Sequence, residues 1–196
     1  MKMALDAFAA TEAAVPSSKT SRFRIEHIQI IDSHDFARFQ SLGVIASMQP
    51  NHLLTDMYWA QDRVGPARAK DSYAWKTFED QGTVLAFGTD YPVEPVTPFR
   101  GVYAAITRKS EDGKRIYHPE QAIGIDQALW AYTRAAAFAE YMETRKGELI
   151  PGEFADFVVL DRDLTQIPAA EILKTQVLRT VVGGRTVYAK GAEHRP

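Results

Sequence analysis

The chain reads as an α/β protein in which strand–helix units are followed by a β appendage. Three observations predict this. Val84 to Phe87 is an apolar run without charge, the pattern of a strand buried on both faces. Ahead of it, a strand followed by a helix reads off the chain and then begins to repeat. Beyond Gly147 the texture changes, and Val177 to Val182, Gly183-Gly184 and Arg185 to Ala189 spell a hairpin with a two-glycine turn.

Taken in order, Met3 to Val15 is Ala-rich with helical spacing, and Pro16-Ser17-Ser18 ends it. Arg22 to Ile30 predicts a strand, Asp32 a cap, and Ser33 to Leu42 a helix with Asp35 in its first turn. Gly43 closes that helix, Val44 to Met48 is a second short strand, and Gln49-Pro50-Asn51-His52 breaks it at a loop. Leu53 to Lys70 reads as a long excursion, either a lid or a surface loop packed down by Met57, Tyr58 and Trp59. Asp71 to Asp80 is a helix with Ala74, Trp75 and Phe78 on one face. After the central strand come a helix over 98–108, a polar loop over 109–118, and a helix from Ile125 to Ala139. Phe154 to Leu160 is a strand and Pro168 to Lys174 a short helix. With no linker between them, residues 1–145 and 146–196 are expected to pack together.

Composition narrows the function. The 196 residues, 45% hydrophobic and 24% charged, suffice for the core of one domain, alone or with an appendage. A net charge of -2 with scattered Lys and Arg excludes a basic footprint for nucleic acid or an anionic membrane. Without Cys there is no disulfide, thiolate metal site or Cys nucleophile, so any metal must be held by His and carboxylates. The first residues carry Asp6 and Glu12 and lack a long apolar run, unlike a signal peptide or a spanning helix, and a cytoplasmic protein is the expectation.

His27, His52 and Asp90 each lie at or beyond the C-terminal part of a predicted strand, and parallel strands bring such ends to one rim. Two imidazoles and a carboxylate there suit a divalent metal, zinc among them, with an open position for water. The metal would make hydroxide available near neutral pH, and Asp90 would pass the proton to a leaving amine. Each residue has a plainer alternative. A histidine on a strand is usually a hydrogen-bonded structural residue, and Asp90 suits a turn cap before Pro92. His34, His118 and His194, on a helix face, in a loop and in the tail, are given no role.

Arg24-Ile25-Glu26-His27, Ala46-Ser47-Met48-Gln49-Pro50-Asn51-His52 and Ala86-Phe87-Gly88-Thr89-Asp90-Tyr91-Pro92-Val93-Glu94-Pro95 resemble the sixth-, seventh- and eighth-strand motifs of the amidohydrolase superfamily, in its amidohydrolase-3 branch. Lys146 to Asp161 and Thr180 to Tyr188 are similar to that family's return into a small β-sandwich. The resemblance implies a metal-dependent hydrolase of C–N bonds in amides or formamides. It makes His27 a metal ligand, Asp90 both ligand and proton carrier, and places His52 near the substrate. It also implies the last three βα units of a (β/α)₈ barrel, a fold that takes roughly 250 residues, and part of the sandwich. The family's ligands from earlier strands have no counterpart in this sequence.

Two expectations follow. The chain is a carboxyl-terminal portion whose metal site is incomplete and which acts with further protein, or it is a non-catalytic half-barrel used in assembly. In either case three strands cannot close, so the inner faces of Val44 to Met48 and Val84 to Phe87, with two sheet edges, are expected to stay exposed and to favour a homo-oligomer.

Overall fold

The structure, a computed structural model, describes residues 1–192. Helix α1 (Lys2–Ala14) buries Leu5 fully, and its Phe8 stacks on Phe23 with ring centroids 4.5 Å apart. Strand β1 (Arg24–Glu26) is shorter than the sequence predicts, because His27 turns to φ 56° and leaves the extended region. Asp32 accepts a hydrogen bond from His34 N at 3.0 Å and starts a 3₁₀ turn that runs into α2 (Phe36–Ser41). Phe36 and Phe39 of α2 meet Phe78 edge-on.

Strand β2 (Ile45–Met48) leads into α3 (Asn51–Asp56), α4 (Ala60–Val64) and α5 (Pro66–Ala69). This corrects the loop expected over 53–70. Leu53 and Met57 are buried one turn apart, Trp59 at φ -140° separates α3 from α4, and Gly65 at φ 79° with Pro66 at a helix start separates α4 from α5. Met57 is packed down as expected, whereas Tyr58 and Trp59 stand half in solvent. Helix α6 (Trp75–Asp80) starts late because Tyr73 sits at φ 50°, and strand β3 (Leu85–Phe87) follows.

Helix α7 (Pro98–Thr107) ends at Arg108, in the left-handed conformation. The single helix expected over 125–139 is α8 (Ile125–Tyr132) and α9 (Arg134–Ala139), separated at Thr133, whose φ of -120° and ψ of -84° are not helical. Strand β4 (Phe157–Leu160), helix α10 (Ala169–Ile172), and strands β5 (Val177–Val182) and β6 (Arg185–Ala189) complete the elements among the described residues, the last two forming the expected hairpin. Phe154 stays outside β4, since its N–H is taken by Arg145 O at 2.7 Å.

The strands form two sheets, β1-β2-β3 all parallel and β4-β5-β6 antiparallel. In the parallel sheet Ile25, Ala46 and Leu85 align across the strands, as do Met48 and Phe87, and this face packs into the main core with Phe36, Phe39, Trp75, Phe78 and α7. Leu164 and Ile172 join that same core, which ties the C-terminal segment to the rest.

The opposite face carries Arg24, Glu26, Ile45, Ser47 and Ala86 in register. Its apolar part was expected to be open in a monomer, but Ile45 and Ala86 are buried under Ala135, Phe138 and Ala139 of α9. The break at Thr133 permits this, by letting α9 depart from the direction of α8. Arg22, just before β1, holds α9 down. Its guanidinium donates to Phe138 O at 2.7 Å, pairs with Glu143, and lies over the Phe138 and Tyr141 rings at 3.8 and 4.4 Å. Strands β1 and β3 remain the edges of their sheet.

Arg22 holds the Glu143 carboxyl at about 2, below its ordinary 4.5. A carboxylate lowered on folding contributes stability above its unfolded value that is lost as pH falls through its folded one. The stability measured by urea unfolding is therefore expected to decline between about pH 4.5 and 2, and Arg22→Met is expected to flatten that decline. An unaltered pH profile in the variant would show that the pair does not couple to folding.

Candidate metal centre

Parallel pairing puts the C-terminal ends of β1, β2 and β3 on one rim, and the three residues singled out in the sequence meet there. His27 directly follows β1, and its N–H continues the ladder to Ser47 O at 3.0 Å. His52 is the second residue of α3, reached by the tight turn after β2. Asp90 follows β3, after Gly88 N has donated to Met48 O at 3.1 Å.

The donor atoms of all three lie within 4.8 Å of one another. His52 Nε2 is 3.4 Å and His27 Nε2 3.8 Å from Asp90 Oδ2. The imidazoles meet edge-on, with centroids 5.5 Å apart. Exposure grades across the site: the His52 side chain is 12% exposed, Asp90 32% and His27 44%. His52 Nε2 is shielded from solvent and has no hydrogen-bond partner. Two of the three sit in the left-handed region, His27 at φ 56° and Asp90 at φ 60°, a conformation uncommon for residues with a Cβ but one that Asp and His enter more readily than most. That turn in the backbone swings each side chain off its strand line toward the other two.

Two further histidines are elsewhere. His34 is exposed, with its ring 2.7 Å from Asp32, and the His118 ring faces Glu120 at 3.2 Å. His194 lies outside the described residues. Two carboxylates beside the site were given no role in the sequence reading, Asp56 and Glu94, both buried. Each follows a site residue by four positions, and Asp56 falls between the buried Leu54 and Met57. A charge set among apolar helix positions was the available signal.

The sequence pattern of the amidohydrolase family matches residues 1–188. The chain belongs to the amidohydrolase family. It is 33% identical over 169 residues to the putative amidohydrolase YtcJ of Bacillus subtilis (strain 168), an alignment covering 85% of this chain and 32% of that protein. With the N-substituted formamide deformylase of Arthrobacter pascens it shares 27% identity over 191 residues, 95% of this chain and 34% of the other. An uncharacterized metal-dependent hydrolase from Pyrococcus horikoshii OT3 has a similar structure, with a TM-score of 0.68 and 32% identity over 82% of this chain and 33% of that one. The chain thus spans about a third of the length of the relatives it matches.

For an amidohydrolase chain the donor chemistry on this rim fits a divalent cation. Two imidazole nitrogens and a carboxylate oxygen converge, one nitrogen is buried without a protein partner, and separations of 3.4 and 3.8 Å are close to the roughly 3.4 Å between tetrahedral ligands of zinc. The backbone makes a separate forecast. Asp90→Gly should leave stability within about 1 kcal/mol of the parent, since glycine accepts φ 60° freely. Asp90→Val should cost at least about 1–2 kcal/mol more, because a β-branched residue is poorly tolerated there. Urea denaturation checks both, and equal stabilities would refute the strained backbone at Asp90.

Proposed function

We propose that this chain carries part of the catalytic centre of a metal-dependent hydrolase that cleaves non-peptide C–N bonds of amides or formamides. The parallel sheet is a sector of a (β/α)₈ barrel and the antiparallel sheet part of a small β-sandwich. The convergence of His27, His52 and Asp90 on one strand rim carries the reading. Membership of the amidohydrolase family and likeness to a formamide deformylase support the bond class. The free edges of β1 and β3 are where further barrel strands, from more of this polypeptide or from another chain, would pair.

In this reading His27 and Asp90 would hold the cation, zinc by preference, with His52 as a third donor. His52 is assigned to the cation rather than to substrate because its Nε2 is shielded and faces Asp90 Oδ2. A bound divalent cation supplies positive charge that eases deprotonation of water and polarises a carbonyl. Asp90 manages the proton. Its carboxylate is half-buried and flanked by both imidazoles, so it can accept the proton that the attacking water loses as the new C–O bond forms. It then delivers that proton to the nitrogen as the C–N bond breaks, so the amine leaves neutral and a carboxylic acid, or formic acid, remains. The left-handed backbone at Asp90 and His27 orients these groups before substrate arrives.

Because the rim is only part of a larger centre, metal analysis after dialysis should find well under one zinc per chain, and stoichiometric zinc lost in His27→Ala would show that these three donors are a complete site. In a protein that carries this segment within a whole barrel, Asp90→Asn should lower turnover of an N-substituted formamide about a hundred- to ten-thousand-fold. Asn tolerates the left-handed backbone and the turn, so the unfolding midpoint should hold. Undiminished turnover at undiminished stability would make Asp90 a turn cap and no more.

A further inference from the structure

The three site residues are tied to one another a second time, behind the rim. Each belongs to a segment that also sends a polar side chain into a common network centred on α3. From the His27 segment, Gln29 Nε2 donates to Asp56 Oδ2 at 2.9 Å, and the buried Tyr73 hydroxyl donates to the same oxygen. From the Asp90 segment, Glu94 Oε1 lies 3.1 Å from Thr55 Oγ1, while Glu94 Oε2 accepts from Arg100 Nη1 at 3.2 Å. Asn51 Nδ2 adds a contact from the start of α3 to Pro95 O at 3.4 Å. His52 itself sits on α3, one turn from both Thr55 and Asp56.

Asp56 and Glu94 are buried, whereas Thr55 stands at the solvent side of the network. The Thr55 hydroxyl lies within reach of His52 O at 2.9 Å, Glu94 Oε1 at 3.1 Å and Asp56 Oδ1 at 3.4 Å. It has one proton to donate, and because a carboxylate is a stronger acceptor than a helix carbonyl, donation to Glu94 Oε1 competes with the shorter contact to His52 O. Two independent links then converge on the helix that bears His52: Gln29 to Asp56 from one side, Glu94 to Thr55 from the other. The two linked segments are the ones that carry His27 and Asp90 in left-handed conformations.

We propose that Gln29, Thr55, Asp56 and Glu94 are positioning residues that fix the spacing of His27, His52 and Asp90. The proposal rests on the metal-centre reading for its ligand but not for its geometry, and the test separates the two. Thr55→Val removes the hydroxyl at an exposed position with little change of shape, and Thr55→Ser keeps it. Cobalt(II) alone is the probe, titrated into the whole chain and followed by its visible absorption. Loss of a group that orients ligands typically weakens metal binding about 10- to 100-fold. Thr55→Val is expected to weaken cobalt(II) binding about tenfold and to alter the absorption band, with Thr55→Ser close to the parent. Gln29→Met should weaken it similarly from the other link. Parent-like affinity and spectrum in Thr55→Val, or equal losses in Thr55→Val and Thr55→Ser, would overturn the proposal. If the parent binds no cobalt(II) that His27→Ala abolishes, the metal reading fails, and amide hydrogen exchange of the metal-free chain decides the positioning. Faster exchange over 88–95 in Thr55→Val but not in Thr55→Ser supports it, and unchanged exchange overturns it.

Discussion

The parallel pairing of β1, β2 and β3 is the constraint on which the rest of the molecule depends. Parallel strands alternate their side chains between two faces and finish on the same rim. The register Ile25, Ala46, Leu85 and Met48, Phe87 turns one continuous apolar surface toward the helices, while Arg24, Glu26, Ile45, Ser47 and Ala86 share the other face. The same register delivers His27 and Asp90 to one end, with His52 between them at the start of α3. A slip of one residue in any strand would reverse its faces, put apolar groups against solvent, and part the donors.

Both faces demand cover, and the helices supply it in different ways. On the main face α2, α6 and α7 interlock aromatic and aliphatic side chains with the sheet. Arg108 fastens the irregular segments to that assembly. Fully buried, it donates to Tyr117 O at 2.9 Å, Tyr73 O at 2.7 Å and Ser72 O at 3.4 Å, and lies 4.4 Å over Trp75. Burial pulls its pKa down to about 9, and the guanidinium still carries its charge at neutral pH. Backbone carbonyls and an aromatic face take the place of a carboxylate partner. On the other face a short helix suffices, because only Ile45 and Ala86 need cover and the remaining positions are polar. Arg22 performs there, near the surface, what Arg108 does in the interior.

The candidate site was legible to the extent that residue type and strand end reveal it. His27, His52 and Asp90 were separable from His34 and His118 by place in the strand–helix pattern, and the structure sets the first three together and the other two apart. The helper groups behind the rim were not legible. Gln29, Thr55, Asp56 and Glu94 are common surface residue types, and only the burial of Asp56 and Glu94 and the hydrogen bonds among the four distinguish them. The helices over 51–69 were hidden for a related reason. Each is too short to show a full apolar repeat, and charged and aromatic residues between them read as a loop.

By itself the sequence determined the α/β class, the order of the strands, the C-terminal hairpin, the amidohydrolase resemblance and the three residues that could meet at a rim, because hydrophobic period, turn residues and local motifs are properties of neighbours along the chain. Only the tertiary structure decided that α9 folds back over the inner face, where exposure was expected. That outcome rests on a break at Thr133 and on Arg22 reaching Phe138 and Glu143, contacts between residues more than a hundred positions apart, which local pattern does not encode. The spacing of the three donors has the same origin. It is set where strand ends meet, by backbone turned left-handed at His27 and Asp90 and held by side chains from other segments.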